Sequence, residues 1–180
     1  MGFTKTDSDP STAPFVSGKI YRYLADDHAR IDDALQRATS RPETIEPAAY
    51  VEFRAGLLRH IGIEEKILLP AARAARGGEP LPIASKLRLD HGALTALLVP
   101  TPTPAIVSAI RTILERHNPL EESPGGVYEQ CEQLAGAQAD EILKRLKTAP
   151  AVKMLPHVDN PFVMEAARRA LQRAGYDLTL

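Results

Sequence analysis

The sequence predicts an all-α protein, an up-down-up-down four-helix bundle with additional C-terminal helices. Apolar residues recur at spacings of three and four through four segments of similar length, as on one face of an α-helix. Short connections rich in proline or glycine separate these segments, which favours antiparallel neighbours. The two-residue alternation that is typical of β-strands is absent from the sequence.

The first two predicted helices each place a histidine within an apolar face. The first extends from Ser17 to Thr39, and its face carries Tyr21, Leu24, His28, Ile31 and Leu35. The second covers about residues 47–76, and its face carries Phe53, Leu57, His60, Glu64 and Ile67. Gly77 and Gly78 then end the second helix.

The third and fourth predicted helices repeat this arrangement. The third covers about residues 82–99, and its face carries Leu87, His91, Leu94 and Leu98. A stiff connector follows, with prolines at positions 100, 102 and 104. The face of the fourth helix carries Ile106, Ile110, Ile113 and His117.

The remaining residues predict two additional helices. Ser123 is the expected N-cap, and Pro124 the first-turn proline, of a fifth helix that ends near Lys147. A linker precedes a last helix from Phe162 to Ala174. We therefore expect three regions: a disordered or extended lead (1–16), the bundle with its fifth helix (17–148), and a linker and C-terminal helix packed on the bundle (149–180).

Composition and charge exclude several classes of partner. The formal net charge is −1 and acids are interspersed with bases, so no basic stripe predicts a nucleic-acid partner. The apolar runs are far shorter than the roughly 20 residues of a membrane span, and the polar start lacks the apolar segment of a secretory signal. The single cysteine, Cys131, excludes an internal disulfide. We expect a cytoplasmic protein with no nucleic-acid or membrane partner.

Four of the five histidines belong to a weak internal repeat. The first half reads Asp27-His28 and then His60, Glu64 and Glu65; the second reads Asp90-His91 and then His117, Glu121 and Glu122. Each half is one helical hairpin that supplies one histidine from its first helix and His-x-x-x-Glu from its second. Because residues four apart lie on one face, about 6 Å along the axis, each His/Glu pair can point at one centre.

Six residues on these inner faces are candidate metal ligands. They are His28, His60, Glu64, His91, His117 and Glu121. A buried glutamate without a partner costs several kcal/mol, and a bound cation would supply that partner. Four ligands fill a tetrahedral zinc ion, whereas six ligands that include two carboxylates suit two metal ions. Imidazole and carboxylate favour iron or manganese without excluding zinc. The alternative is a metal-free His/Glu hydrogen-bond network.

Residues 17–122 resemble the hemerythrin-like (HHE cation-binding) domain family, through the segments LLRHIGIEEKILLP and ERHNPLEESPGG. The resemblance implies a four-helix bundle that holds a non-haem di-iron centre. It implies that Glu64 and Glu121 bridge the two ions and that the four histidines of the repeat are terminal ligands. It also implies room on the metals for dioxygen, peroxide or nitric oxide.

The sequence departs from the oxygen-carrying members of that family at two places. They have an additional histidine four residues after the ligand of the third helix, where this chain has Thr95. This absence favours redox turnover or sensing over oxygen carriage. They also have a carboxylate five residues after the last histidine, which makes Glu122 a rival of Glu121. If the fourth helix ends at His117 and restarts at Pro119, Glu121 would cap the backbone instead.

Several nearby side chains have two interpretations. Asp27 and Asp90 each precede a histidine by one residue and point about 100° away from it, so we interpret them as solvated acids unless they reach across helices. Tyr21 and Tyr128 either approach an open coordination position or are ordinary packing residues. His157 lies in a linker bounded by prolines and is expected to be exposed.

Three classes of function fit these residues. The first, which we favour, is a binding or sensing protein for dioxygen, peroxide, nitric oxide or iron. The second is a di-iron enzyme that acts on peroxide or uses dioxygen as oxidant. The third is a metal-free helical interaction module. The residues do not decide between binding and catalysis, and they carry no signal for the oligomeric state.

Overall fold

A computed structural model of the chain describes residues 18–180. Over this range the protein is all-helical and has no strands, so the predicted all-α class is confirmed. The helices are α1 (Lys19–Ala38), α2 (Pro47–Ile63), α3 (Leu69–Ala75), α4 (Ala84–Leu97), α5 (Pro104–Glu122), α6 (Val127–Ala135), α7 (Ala139–Thr148) and α8 (Pro161–Ala174). None of these helices has the length and apolar character needed to cross a membrane. The predicted lead (1–16) and the predicted helix start at Ser17 lie outside the described residues.

Three of the helices begin with a polar cap followed directly by proline. The side chains of Glu46, Thr103 and Asn160 accept hydrogen bonds from backbone N–H groups in the first turns of α2, α5 and α8. Proline suits the next position, because its missing N–H would have no partner within the helix there. α8 ends at Gly175, whose φ of 84° suits glycine.

A π-helical segment, Glu64–Leu68, joins α2 to α3 into one continuous helical stretch. The sequence predicts this stretch as a regular helix, and the widened turn is a difference. Pro70 accounts for it, because its ring clashes with the carbonyl four residues earlier in a regular α-helix and a wider turn relieves the clash. Glu64, a candidate ligand, is the first residue of the widened turn.

The predicted fifth helix is two helices, α6 and α7, separated by a 3₁₀ turn at Gly136–Gln138. The prediction that Ser123 caps this helix is wrong, because α6 begins at Val127 and Ser123 instead ends α5. Gly126 makes the tight connection possible: a Cβ there would lie 2.7 Å from two backbone carbonyl oxygens.

Two buried apolar clusters form the core. The α8-end cluster includes Ile31, Leu35, Phe53, Leu94, Ile110 and, from α8, Leu171. The α6-end cluster includes Ile20, Leu24, Leu68, Leu87 and, from α6 and α7, Tyr128 and Leu146. α8 therefore covers one end of the core, where it packs against α4, while α6 and α7 cover the other.

The order in which the helices meet the two clusters alternates along the chain. α1 and α4 meet the α6-end cluster first and the α8-end cluster second, with the pairs Leu24 and Leu35 in α1 and Leu87 and Leu94 in α4. α2 with its π-helical extension, and α5, meet the α8-end cluster first, with the pairs Phe53 and Leu68 in α2 and its extension and Ile110 and Leu120 in α5. In each helix a histidine of the repeat lies between the two members of the pair. The histidines of four helices therefore occupy one layer between the clusters.

The linker before α8 is held against α2 and the C-terminal end of α4. Arg54, a buried residue of α2, donates hydrogen bonds of 2.8 Å to the carbonyl oxygens of Leu98 and Leu155. His157 is half-buried, with its ring 3.3 Å from the Val99 carbonyl oxygen, so the prediction that it is exposed is wrong. It lies outside the layer of the other four histidines.

Candidate metal centre

The structure brings all six candidate ligands into the layer between the two apolar clusters. They are His28 from α1, His60 from α2, Glu64 from the π-helical segment, His91 from α4, and His117 and Glu121 from α5. None is more than 8% exposed, although every one is polar or ionisable. Burial of this many ionisable groups requires that they satisfy one another or bind an ion.

The six residues form two overlapping groups that could each hold a metal ion. The first group is His28, His60, Glu64 and Glu121, and the second group is Glu64, His91, His117 and Glu121. Within each group the ligand atoms lie within 4.8 Å of one another. Each group thus offers two imidazoles and two carboxylates, and both glutamates belong to both groups.

The two oxygens of Glu64 face different groups. Oε1 lies 3.2 Å from Nε2 of His60 in the first group, and Oε2 lies 3.3 Å from Nε2 of His91 in the second. A carboxylate that presents one oxygen to each of two cation positions is arranged to bridge them.

Glu121 is arranged in the same way. Its Oε2 lies 3.5 Å from Nε2 of His28 in the first group, and its Oε1 lies 3.2 Å from Nε2 of His117 in the second. Both glutamates therefore present one oxygen to each group, and all four histidines direct Nε2 into the layer.

The hydrogen bonding of Glu64 tests whether a cation fits the layer. Its Oε2 atom is buried and accepts no hydrogen bond from the described residues. The His91 imidazole at 3.3 Å compensates only part of the desolvation cost of this oxygen, and a cation placed between the imidazoles and carboxylates would compensate the rest. The donor set, imidazole with carboxylate and no thiolate, suits iron, manganese or zinc.

Each of the four histidines also has a carboxylate on its outer nitrogen, Nδ1. The pairs are His60 with Asp27 at 2.9 Å, His91 with Glu65 at 2.8 Å, His117 with Asp90 at 3.4 Å, and His28 with Glu122 in close contact. A carboxylate at Nδ1 holds the proton on that nitrogen and leaves the lone pair of Nε2 for a metal ion. We call these four acids the outer carboxylates.

Asp27 and Asp90 do not contact the histidines that follow them in the sequence. Each reaches the histidine of the next helix in the same hairpin, so Asp27 of α1 contacts His60 and Asp90 of α4 contacts His117. Both aspartates are buried, and their interpretation as solvated acids is wrong. The 100° turn between neighbouring residues carries each aspartate away from its own histidine and towards the adjacent helix.

Glu65 and Glu122 are the two outer carboxylates that connect the halves of the repeat, because each contacts a histidine of the other half. Glu65 contacts His91 of the second half, and Glu122 contacts His28 of the first. Sequence reasoning missed Glu65, although its place in the repeat matches that of Glu122. The structure therefore places Glu121 inside the layer and Glu122 outside it.

The fourth helix does not stop at Pro119. α5 is continuous from Pro104 to Glu122, and Pro119 lies inside it. The side chain of Glu121 is 1% exposed and faces His117, so it does not cap a restarted helix as one interpretation of the sequence held.

The two candidate tyrosines behave differently. The Tyr128 hydroxyl enters the layer from α6 and is within 3.1 Å of four candidate ligand atoms. Tyr21 stays outside, where its hydroxyl donates to the Glu122 carbonyl oxygen at 2.7 Å and its ring meets the Tyr128 ring edge to face. Burial, with the charges of Glu121 and Glu64, raises the pKa of Tyr128 well above its usual value.

Carboxylates hold protons on the imidazoles of His60 and His91. Burial disfavours the charged form of His60, but Glu64 and Asp27 outweigh burial and raise its pKa to about 10. The same competition raises the pKa of His91 to about 11, through Glu121, Glu64 and Glu65. Without metal, these two histidines are therefore ion-paired with carboxylates at neutral pH.

Metal affinity is expected to rise with pH across the neutral range. Imidazolium cannot bind a metal ion, so an incoming ion must displace protons that His60 would otherwise retain up to about pH 10. Each displaced proton makes the apparent affinity rise about tenfold per pH unit, and so at least about 100-fold from pH 6 to pH 8. Competition titrations with a chelator and zinc as a redox-inert probe would measure this, and an affinity independent of pH would contradict it.

Removing an outer carboxylate is expected to weaken metal binding without destroying the layer. In Asp27→Ala, His60 loses the partner that fixes its Nδ1 proton, and we expect about 10- to 100-fold weaker binding at the first group. Asp26→Ala is the matched control, because Asp26 is the exposed neighbour of Asp27 and the charge change is the same. Isothermal titration would compare the variants, and equal affinities would show that Asp27 has no such role.

Comparisons with known proteins add no family assignment. No protein-family model, no curated protein and no solved structure matches the chain. The chemistry of the centre follows from its own donor atoms: two buried His/Glu groups that share two carboxylates.

Proposed function

We propose that the chain is a hemerythrin-like protein that holds two iron ions and binds or senses a small molecule, namely dioxygen, peroxide, nitric oxide or iron itself. The observation that carries this proposal is the orientation of Glu64 and Glu121, each with one oxygen towards each group. Two bridging carboxylates and two imidazoles per ion form a dinuclear ligand set. A single ion held in one group would leave one oxygen of each shared carboxylate facing the other group.

The proposal includes an up-down-up-down bundle formed by α1, α2 with its π-helical extension, α4 and α5. The alternating order in which these helices meet the α6-end and α8-end clusters supports it, since antiparallel neighbours meet the two ends of a bundle in opposite order. In such a bundle, facing helices direct carboxylates and histidines inward at one level.

Burial of the layer supports a small ligand. The candidate ligand side chains are at most 8% exposed, so an organic substrate has no surface on which to meet them. Molecules of two or a few atoms need much less room. A bound iron pair would supply reversible binding or reduction of such molecules, while the chain orients the imidazoles and keeps bulk water out.

Iron is the proposed metal, and the donor set supports it. The layer offers imidazole and carboxylate, and Cys131, the sole thiol of the chain, belongs to neither group. Thiolate would favour zinc or copper(I), whereas nitrogen and oxygen donors suit iron and manganese. Thr95, which stands where oxygen carriers have a further histidine, is exposed on α4, so the two groups have equal numbers of histidines.

Metal analysis of the full-length chain tests the proposal. We expect two iron ions per chain after anaerobic loading with Fe(II) and removal of excess metal by a desalting column. His157→Ala is the matched control, because it removes a histidine outside the layer and should leave the metal content unchanged. A chain that retains no iron, manganese or zinc after loading would be the helical interaction module, and the proposal would be abandoned.

A further inference from the structure

The Tyr128 hydroxyl lies among the inner atoms of the first group and not those of the second. It is 2.7 Å from Oε1 of Glu64, 3.1 Å from Oε2 of Glu121, 3.0 Å from Nε2 of His60 and 3.1 Å from Nε2 of His28. These are the same atoms through which the four residues face the first group. One oxygen at nearly equal distances from four donor atoms marks the centre of that group.

We propose that Tyr128 is an oxygen ligand of the ion in the first group, so that the two metal positions are chemically unequal. This inference rests on the proposed function, because it needs an ion at the first group. The first ion would then have two imidazoles, two carboxylate oxygens and a phenolate. The second would have its two imidazoles and two carboxylate oxygens alone, and it would be the more open position for the outside molecule.

Without metal, hydrogen bonds hold this hydroxyl among the ligand atoms of the first group. It has one hydrogen, which it can donate to Glu64 or to Glu121, and its oxygen can accept from Nε2 of His60 and of His28. The side chain is fully buried. A packing role would need only the apolar ring of Tyr128, which belongs to the α6-end cluster. A phenol oxygen among the four donor residues of a cation-binding group is placed to become a further donor to an ion bound there.

The Tyr128 ring is held in place by α6. The Glu132 side chain, one turn further along α6, accepts hydrogen bonds from the backbone N–H groups of Ile20 at 2.7 Å and Tyr21 at 3.0 Å. These bonds fix α6 to the first turn of α1. The edge-to-face contact with Tyr21, at 6.1 Å between ring centroids, closes the other side of the ring.

An ion in the first group takes the central position that the hydroxyl fills without metal, so the Tyr128 oxygen must move back from the centre to the distance of a ligand. On ligation the O–H bond of Tyr128 breaks, a metal–oxygen bond forms and the proton passes to solvent together with those displaced from the histidines. The negative charge of the phenolate is balanced by the ion. No oxidant is needed for this step.

Visible spectroscopy of the iron-loaded chain tests the inference. Phenolate bound to Fe(III) gives a charge-transfer band in the visible range, and laser excitation in that band enhances tyrosine ring vibrations. We expect both signals in the wild-type protein after oxidation to Fe(III). Tyr128→Phe should lose both and still retain two irons per chain, since four ligands of the first group remain. Tyr21→Phe is the matched control and should keep both signals, because its hydroxyl lies outside the layer.

A second measurement uses nitric oxide as a probe of open positions on the Fe(II) form. We expect Tyr128→Phe to bind more nitric oxide per chain than the wild type, because loss of the phenolate opens one further position on the first ion. Ring-deuterated tyrosine in the wild type should shift the enhanced vibrations, which tests the assignment even if Tyr128→Phe fails to fold. Two irons per chain without tyrosine vibrations would overturn the inference about Tyr128 but not the proposed function. Failure of the wild type to bind metal would overturn the proposed function as well.

Discussion

Glu64→Ala is expected to abolish binding of both metal ions, whereas His28→Ala and His117→Ala should each weaken one. Glu64 presents one oxygen to the first group and the other to the second, so its loss removes a ligand from both. His28 belongs to the first group alone, and His117 to the second alone. We expect Glu64→Ala to lose more than about 100-fold in metal affinity at both positions, which exceeds the loss expected on removal of an outer carboxylate.

Metal content after equilibrium dialysis against limiting free iron would measure this difference. We expect two ions per chain in the wild type, one in each histidine variant and none in Glu64→Ala. Glu115→Ala is the matched control, because Glu115 is an exposed glutamate of α5 and its removal should leave two ions bound. If Glu64→Ala kept one ion while a histidine variant lost both, the shared role of Glu64 would be refuted.

Removal of metal is expected to lower the melting temperature by about 15–30 °C. With free metal at about 1,000 times the dissociation constant, one ion stabilises the native state by about 4 kcal/mol, so two ions contribute about 8 kcal/mol. For a chain of this length each kcal/mol corresponds to about 2–4 °C. The metal-free protein should nevertheless remain folded below its transition, because pairs such as His60 with Asp27 hold the layer together through protons.

Thermal unfolding followed by circular dichroism, with and without chelator, would measure the shift. Glu64→Ala provides the control, since a variant that binds no metal should melt at the same temperature in both conditions. An unchanged melting temperature of the wild-type protein would favour the metal-free interaction module.

Much of the site could be predicted from the sequence, because helical periodicity is a local property. The spacing of His60 and Glu64, and of His117 and Glu121, places each pair on one helix face whatever the rest of the chain does. Apolar neighbours at the same period predict that these faces are buried. The structure accordingly places the residues of both pairs in one buried layer.

The outer carboxylates could not be assigned in this way. Asp27 contacts a histidine 33 positions away, and Glu122 one that is 94 positions away. Whether such a side chain meets a histidine or solvent depends on how each helix is rotated against its neighbour, which periodicity leaves undefined. The repeat of Asp-His and Glu-Glu pairs was the available sequence signal for these carboxylates. Their roles could be assigned only from contacts between helices.

The sequence by itself determined the helical class of this protein and the apolar faces that carry the four histidines of the repeat, since both follow from period and composition. Tertiary structure alone decided the π-helical turn at Glu64, the assignment of Glu121 to the layer and Glu122 to its outside, and the position of Tyr128. Tyr128 lies 100 residues from His28 and on a helix outside the repeat. No local rule connects them, and only the packing of α6 on α1 and α5 brings its hydroxyl into the first group.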